Sequence, residues 1–322
     1  MPEKLAELET FREGILNRAS VGLFAHNEVL TIETSIRSIL EQTDELGIGI
    51  RELIVIVSGD DGTAEIVKEL GQRDKRVFLI VEEVRAGKAA AMNLFLSRAV
   101  GEFRVLASAD IFLPSDTLRK LLMPFEDESV GMTGGAVKPL NPKKHLTNRL
   151  VHLLWELHNL VAMRQPKLGE IIVVRNVFDS IDERSTVDEV CIEAIIESKD
   201  YGLCFVPEAY VYNHGPTAFL DYARHRFRIH RGHLAIRKSI GYKPATANTG
   251  HVAASAGGLL RRRPHLAPLL FIAAAVEISV RSAARTAQVF GGPPQKAVWT
   301  PITSAKQQRA CNIESETAPE MS

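Results

Sequence analysis

A single aspartate follows an apolar segment at a point where its charge needs a partner. Residues 104–113 read RVLASADIFL, and Asp110 comes shortly after the apolar run ends at Ala107. Burying a carboxylate costs free energy unless it is hydrogen-bonded, paired with a cation or bound to a metal. Carboxylate oxygens are ligands that Mg²⁺ prefers, so Asp110 is a candidate metal ligand. The alternative is an aspartate that only caps the next turn.

Two further carboxylates, Asp188 and Glu189, begin a stretch of helical character that runs to Lys199. A positioned carboxylate can take the proton of an attacking hydroxyl as a general base. Carboxylates in the first turn of a helix also bind free backbone N–H groups and interact favourably with the helix dipole. The pair is therefore a candidate catalytic site. Helix capping is the alternative, more so for Asp188 than for Glu189.

Two basic residues could bind an anion. Lys88 follows Gly87 at the start of a predicted helix, and Arg228 lies in a stretch from Tyr222 to Val276 that contains no Asp or Glu. This charge distribution favours an anionic partner, either a diphosphate or an acidic membrane surface. Few aromatic residues are interspersed, which argues against a nucleic-acid partner. The alternative for both residues is a solvated surface position.

Common nucleotide-binding and zinc-binding motifs are missing from the expected places. The turn after the first predicted strand reads AHNEVL, without the glycines of a dinucleotide-binding motif. Gly87-Lys88 is followed by Ala89, where a P-loop needs Ser or Thr. A zinc site is a weak hypothesis for three histidines without a recognised spacing, His225, His230 and His233.

The candidate residues lie on alternating strands and helices, which favours right-handed βαβ units and a mostly parallel sheet. Buried strands are predicted from apolar runs at 21–25, 52–57, 77–81 and 104–107. Polar clusters follow three of them, at 26–28, 58–63 and 108–110. Ligands of such sheets bind at the carboxyl ends of the strands. Arg175 and His214, which follow later predicted strands, are further candidates, and the alternative for His214 is a structural role in a turn.

Composition bounds the cellular setting. The 322 residues carry no net formal charge, and the three cysteines have no close spacing, which favours a reducing compartment. The N-terminus has no apolar signal segment, so we expect a cytoplasmic protein. The longest apolar run, 266–276, has eleven residues, too few to cross a bilayer as a helix. This run is interpreted either as a core helix or as an interfacial or re-entrant segment. In the second case the protein makes peripheral contact with a membrane, with Arg261–Arg263 near anionic lipid.

Six short motifs occur in an order that resembles the family 2 glycosyltransferases of the GT-A fold. They are FAHNE at 24–28, VSGDDGT at 57–63, AGKAAAMN at 86–93, SAD at 108–110, VDEVCIEA at 187–194 and HRFRIHRG at 225–232. The chain departs from the family where Ser58 and Ser108 replace aspartates. It also has His225 and Ile229 in place of the Gln and Trp of a Q-x-x-R-W motif, which favours transfer of one sugar over processive synthesis.

The resemblance implies an α/β fold of GT-A type, with a Rossmann-like, mostly parallel sheet flanked by helices and a C-terminal helical extension that is a candidate for membrane association. It divides the chain into four segments. These are a helical lead over 1–20, the GT-A domain over 21–235, a basic and apolar helical extension over 236–290 and a disordered tail over 291–322.

The resemblance also implies an inverting, metal-dependent enzyme that moves one sugar from a nucleotide-diphospho-sugar to a hydroxyl of a glycan or lipid-linked acceptor. Glu189 takes the position of the general base, beside Asp188, and Asp110 that of the ligand for Mg²⁺ or Mn²⁺. The donor-binding positions are Asn27, Glu28, Ser58, Asp61, Lys88, Ser108 and Arg228. The alternative is a non-catalytic member that binds a nucleotide or lipid and regulates a partner.

Overall fold

The computed structural model describes residues 13–290. An eight-stranded sheet carries one hydrophobic cluster on each face. Side chains alternate between the two faces of a strand. Accordingly, Leu23 packs in one cluster and Phe24 in the other. Burial on both faces explains why the central strands are almost continuously apolar.

The first half of the fold is a set of parallel strands joined by helices, as predicted. Its elements are β1 (Ala19–His26), α1 (Ile32–Leu40), β2 (Glu52–Ser58), α2 (Thr63–Arg73), β3 (Val77–Val81), α3 (Lys88–Arg98) and β4 (Phe103–Ser108). β2 pairs in parallel with β1 and β3, and β1 also pairs in parallel with β4.

The second half adds antiparallel pairs, so the sheet is mixed. Its elements are β5 (Ile111–Phe112), α4 (Thr117–Leu122), β6 (Val130–Pro139), α5 (Leu146–Ala162), β7 (Ile171–Arg175), α6 (Asp188–Ser198) and β8 (Gly202–Asn213). The strand order is β3-β2-β1-β4-β7-β6-β8-β5, with β7 antiparallel to β4 and β6 and with β5 antiparallel to β8. β8 is one continuous strand, and its pairing with β6 shifts register after Gly135.

Three helices follow the sheet: α7 (Phe219–Ile240), α8 (Thr249–Arg262) and α9 (Ala267–Val289). The eleven-residue apolar run continues into the 23-residue helix α9, which is longer than the run and includes Glu277, Arg281 and Arg285. Among the described residues it lies in the one helical segment, 264–289, that is long and apolar enough to cross a membrane. The predicted disordered tail, 291–322, and residues 1–12 of the helical lead lie outside the described residues. The four predicted segment boundaries stay predictions.

Candidate active site

The carboxyl ends of β1, β2 and β4 meet at one edge of the sheet. Their register places His26 beside Ser58 and Phe24 beside Ser108. A cavity of about 430 Å³ opens at this edge, bounded also by α3, α5, α6 and α7. Most of the predicted site residues line it: Glu28, Ser58, Lys88, Ser108, Asp110, Asp188, Glu189 and Arg228.

The turn that carries Asp110 is held by neighbouring elements. The Ala109 N–H donates to the Phe24 carbonyl at 3.2 Å. The Ala109 carbonyl accepts from the Ser35 hydroxyl at 2.9 Å. These bonds fix the backbone next to Asp110, whose side chain lines the cavity together with that of Ser108.

Asn27 and Asp61, which we expected to contact the nucleotide, lie outside the cavity lining. Asp61 accepts hydrogen bonds from the backbone N–H groups of Val29 and Thr63, each at 3.1 Å. Asn27 has a left-handed φ of 54° and packs against Gly59, where a Cβ would collide with its side chain. Both residues therefore shape the turns after β1 and β2 instead of facing the cavity.

Lys88 and Glu189 form an ion pair at the cavity. Gly87, with a φ of 110°, turns the chain into α3, and Lys88 is the first residue of that helix. The Lys88 Nζ lies 2.8 Å from Oε1 of Glu189. Burial disfavours both charges, but their attraction outweighs it, so the pKa of Lys88 rises and that of Glu189 falls to about 2. Glu189 is consequently a poor proton acceptor near neutral pH.

Asp188 has the opposite properties. It is 5% exposed, and within residues 13–290 its Oδ1 has no hydrogen-bond partner. Burial raises the pKa of Asp188 to about 7, against the opposing effect of the Lys88 charge. A general base works best when its pKa lies near the working pH, so Asp188 is the better suited of the two adjacent carboxylates.

Helix α7 brings Arg228 to the start of α6. Gly232 permits the close approach of the two helices, because a Cβ there would lie 2.8 Å from Val187 Cγ1. Arg228 lines the cavity and donates to Nδ1 of His225 at 3.3 Å. Burial lowers the pKa of Arg228 to about 10, and the charge of Glu189 opposes that shift. Arg228 therefore remains a cation near neutral pH.

The weak zinc hypothesis for the three histidines gains no support. His225 accepts from Arg228, and His230 Nε2 lies 2.8 Å from Glu277 Oε2. Across residues 13–290, no three His, Cys, Asp or Glu side chains form a group that could hold a metal ion by themselves.

The two further candidates from the sequence, His214 and Arg175, lie at opposite edges of the sheet. His214 follows β8 and lines the cavity. Arg175 lies at the opposite edge of the sheet, where it donates to the carbonyls of Phe125 at 3.1 Å and Val130 at 3.2 Å. The reason is that β7 runs antiparallel to β4, so the end of β7 points away from the cavity.

Sequence reasoning missed Glu170, which directly precedes β7 and lines the cavity. Its backbone has a left-handed φ of 60°. Burial and the nearby charge of Asp110 raise the pKa of Glu170 to about 7. The available signal was an acidic residue next to an apolar strand, IIVVR, but only the antiparallel pairing shows that it faces the cavity.

The C-terminal helices form one wall of the same cavity. Arg226 Nε of α7 lies 2.5 Å from Glu277 Oε1 of α9, and Glu277 and Arg281 both line the cavity. This network attaches α9 to α7 next to the candidate site. This side also has an apolar wall, interrupted by His158, that consists of Val151, Leu154, Trp155, Leu157, Val161 and Val252.

Comparisons with known proteins add to this geometry. Residues 20–177 match the family model described as Glycosyl transferase family 2. An uncharacterized glycosyltransferase of Haemophilus influenzae is 35% identical over 85 residues, which make up 26% of this chain and 34% of the relative. The match thus spans about a third of that relative's length.

The fold also resembles solved structures over different shares of the chain. The mannosyltransferase PcManGT from Pyrobaculum calidifontis, in complex with GDP-Man and Mn²⁺, has a TM-score of 0.61 at 20% identity, and the match covers 90% of this chain and 95% of that one. Glucosyl-3-phosphoglycerate synthase from Mycobacterium tuberculosis, in complex with Mn²⁺, uridine-diphosphate and phosphoglyceric acid, has a TM-score of 0.48 at 20% identity, with 70% of this chain and 80% of that chain covered.

Proposed function

We propose that the protein transfers one sugar from a nucleotide-diphospho-sugar to an acceptor hydroxyl, with inversion at the anomeric carbon, because residues 20–177 match the model of glycosyl transferase family 2. The enzyme class and the GT-A fold follow from the family and the neighbouring structures. The observation that carries the finer proposal is the arrangement of Asp188, Glu189 and Lys88 in the same cavity as Asp110.

Asp110 is the proposed protein ligand of a divalent cation, Mg²⁺ or Mn²⁺. Such cations are often held by one or two carboxylates together with substrate phosphates and water, so a full protein cage is not required. The Asp110 carboxylate and the Ser108 hydroxyl provide oxygen atoms where such a cation would meet a diphosphate. When bound, the cation stabilises negative charge on the leaving diphosphate.

Asp188, rather than Glu189, is the proposed general base, which revises the expectation from sequence. The acceptor hydroxyl passes its proton to the Asp188 carboxylate while its oxygen bonds to the anomeric carbon. The bond from that carbon to the β-phosphate oxygen breaks, and the electron pair leaves with the nucleoside diphosphate. Glu189 stays paired with Lys88, and Lys88 and Arg228 place positive charge near the leaving group.

The test begins with a search for the donor by Mn²⁺-dependent thermal stabilisation across a panel that includes GDP-mannose and UDP-glucose. Transfer by Asp188→Asn and Glu189→Gln is then compared. We expect Asp188→Asn to lose about 10²–10⁴-fold in kcat, the usual contribution of a general base, while donor stabilisation persists. Wild-type rates for Asp188→Asn would refute the assignment. A wild-type protein that binds donors but neither hydrolyses nor transfers them would support the regulatory alternative.

We further propose that the acceptor is lipid-linked and that the protein lies on an anionic membrane surface. On α9, Phe271 is 77% exposed and Ile278 is 66% exposed. Arg261 and Arg262 are exposed at the end of the adjoining helix α8. The apolar wall of the cavity lies on the side of these helices, so a lipid chain could extend from the site towards the membrane.

Vesicle co-sedimentation tests the membrane proposal. Binding to vesicles with anionic phosphatidylglycerol should exceed binding to neutral phosphatidylcholine vesicles and should weaken with salt. A double variant, Arg261→Ser with Arg262→Ser, should bind about 30-fold more weakly, since each basic residue contributes about 1 kcal/mol near an anionic surface. Arg73→Ser, an exposed change at the end of α2, is the control. Equal binding of wild type to both vesicle types would contradict the proposal.

A further inference from the structure

We propose that Glu170 supplies the second carboxylate of the divalent-cation site. It would take over the role of the family's aspartate that is replaced here by Ser108. The proposal rests on the function proposed above and extends it to a residue outside the six sequence motifs. It names Asp110 and Glu170 as carboxylate ligands and the side-chain carbonyl of Asn213 as a third oxygen donor.

Strand pairing places Glu170 next to the turn of Asp110. In the antiparallel pair β4–β7, Ala107 lies opposite Ile171, so the chain enters β7 where β4 ends. The Ser108 N–H donates to the Glu170 carbonyl at 3.4 Å. The Glu170 side chain lines the same cavity as those of Ser108 and Asp110. Position 108 has no carboxylate, but Glu170 supplies one directly before the adjacent strand.

Asn213 provides an independent sign of a ligand at this point. It ends β8, and its partner in the pair β5–β8 is Ile111, the residue after Asp110. Asn213 is 5% exposed and lines the cavity. Its side chain donates to the Glu170 carboxylate. Among the described residues, its Oδ1 has no hydrogen-bond partner. A buried amide oxygen without a donor is costly, and Mg²⁺ and Mn²⁺ accept this kind of oxygen.

The backbone of Glu170 is held in an unfavourable conformation by a buried network. A left-handed φ of 60° suits glycine, and the preceding residue is Gly169, yet the left-handed position itself carries glutamate. Glu193 of α6, fully buried, accepts from the Leu168 N–H at 2.9 Å and from the Lys167 ammonium at 3.1 Å. Glu193 therefore holds the segment that precedes Glu170. Glu170 is both the residue with the strained backbone and the residue whose carboxylate lines the cavity.

The charges around Glu170 agree with this role. Asp110 and Glu189 place like charges near the Glu170 carboxylate, and Lys88 places the opposite charge near it. Lys88 is already paired with Glu189. A divalent cation between Asp110 and Glu170 would relieve the repulsion between their carboxylates.

Mn²⁺ binding to the full-length protein tests the proposal without any turnover. The free Mn²⁺ signal is followed by electron paramagnetic resonance, with saturating GDP or UDP, whichever nucleotide the wild type binds. We expect Glu170→Gln to weaken Mn²⁺ binding about 10-fold or more, since changes even to outer-shell residues cost that much. The decisive variant adds Ser108→Asp to Glu170→Gln, which returns a carboxylate to the neighbouring strand and should restore most of the Mn²⁺ affinity.

The control variant, Glu69→Gln, also removes one negative charge, but at an exposed position of α2. It should bind Mn²⁺ like the wild type. Unchanged Mn²⁺ affinity in Glu170→Gln would overturn the inference. So would a loss that Ser108→Asp fails to rescue, because the carboxylate would then serve another group, such as the sugar. If the wild type itself shows no nucleotide-dependent Mn²⁺ binding, the proposed function fails, and the two failures are thereby distinguished.

Discussion

Replacing Glu189 by glutamine separates the roles of the two carboxylates at the start of α6. In the wild type, kcat/KM should rise with pH through an apparent pKa near 7, because Asp188 must be ionised to accept a proton. In Glu189→Gln a negative charge is removed, and Lys88 is no longer neutralised at 2.8 Å. Both changes favour ionised Asp188, so the acid limb of the profile should move to lower pH.

The size of this shift follows from the ion pair. A unit charge about 4 Å away is worth about 4 kcal/mol at an effective dielectric constant of about 20. Adjacent side chains on a helix do not face each other, so the Glu189 charge acts on Asp188 from a larger distance and is partly screened. We therefore expect its removal to lower the pKa of Asp188 by about one unit, or about 1.4 kcal/mol. At pH 6, kcat/KM as a fraction of its own plateau should therefore increase about fivefold.

Initial rates at low donor concentration, from about pH 5 to about pH 9, give this profile for the free enzyme. Lys88→Met is the matched opposite change, because loss of the cation should move the acid limb to higher pH. If Glu189 were the base, Glu189→Gln would instead lose about 10²–10⁴-fold at every pH, with no shift of the limb. That result would refute the assignment of Asp188.

Three further predictions concern stability and packing. The raised pKa of Asp188 means that its contribution to stability is present below about pH 4 and is lost as pH rises through about 7. Asp188→Asn should therefore raise Tm at pH 8 but not at pH 4 in thermal unfolding, and equal effects at both would contradict this. Glu277→Gln leaves Arg226 without its partner at 2.5 Å and should destabilise the protein by about 3 kcal/mol in denaturant unfolding, whereas an unchanged midpoint would show that the pair does not attach α9. Gly232→Val should cost about 1–3 kcal/mol by overpacking against Val187 and should lower kcat, and normal values of both would refute the close-packing argument.

The parallel half of the fold and its site could be predicted from sequence for a local reason. Each polar cluster there directly follows an apolar run, and parallel strands bring such clusters to one edge. Ser58 and Ser108 meet His26 and Phe24 in the register that this rule implies. Asn27 and Asp61 show its limit, because proximity along the chain does not tell which side chain of a turn faces the cavity.

The antiparallel half could not be predicted in the same way. Because β7 is antiparallel to β4, its start lies at the cavity and its end lies at the opposite edge of the sheet. Glu170, before the start, therefore faces the cavity, and Arg175, at the end, is remote from it. Nothing local in the sequence reports that reversal, since the pairing of β7 with β4 joins segments far apart in the chain. The choice between Asp188 and Glu189 has the same origin, because it depends on Lys88, 101 residues away.

The effect of Ser108 on the cation site is therefore judged differently from the structure than from the sequence motif alone. Compared motif by motif, the loss of an aspartate from the strand-end pair indicates a weakened cation site. A cation, however, interacts with whatever oxygen atoms surround it, and the adjacent strand supplies Glu170 beside Ser108. Glycine at 170 would remove the backbone strain, whereas glutamate there places a carboxylate in the cavity next to the buried Glu193–Lys167 pair. The strained turn thus supports a working metal site in which the second carboxylate comes from the residue before the neighbouring strand.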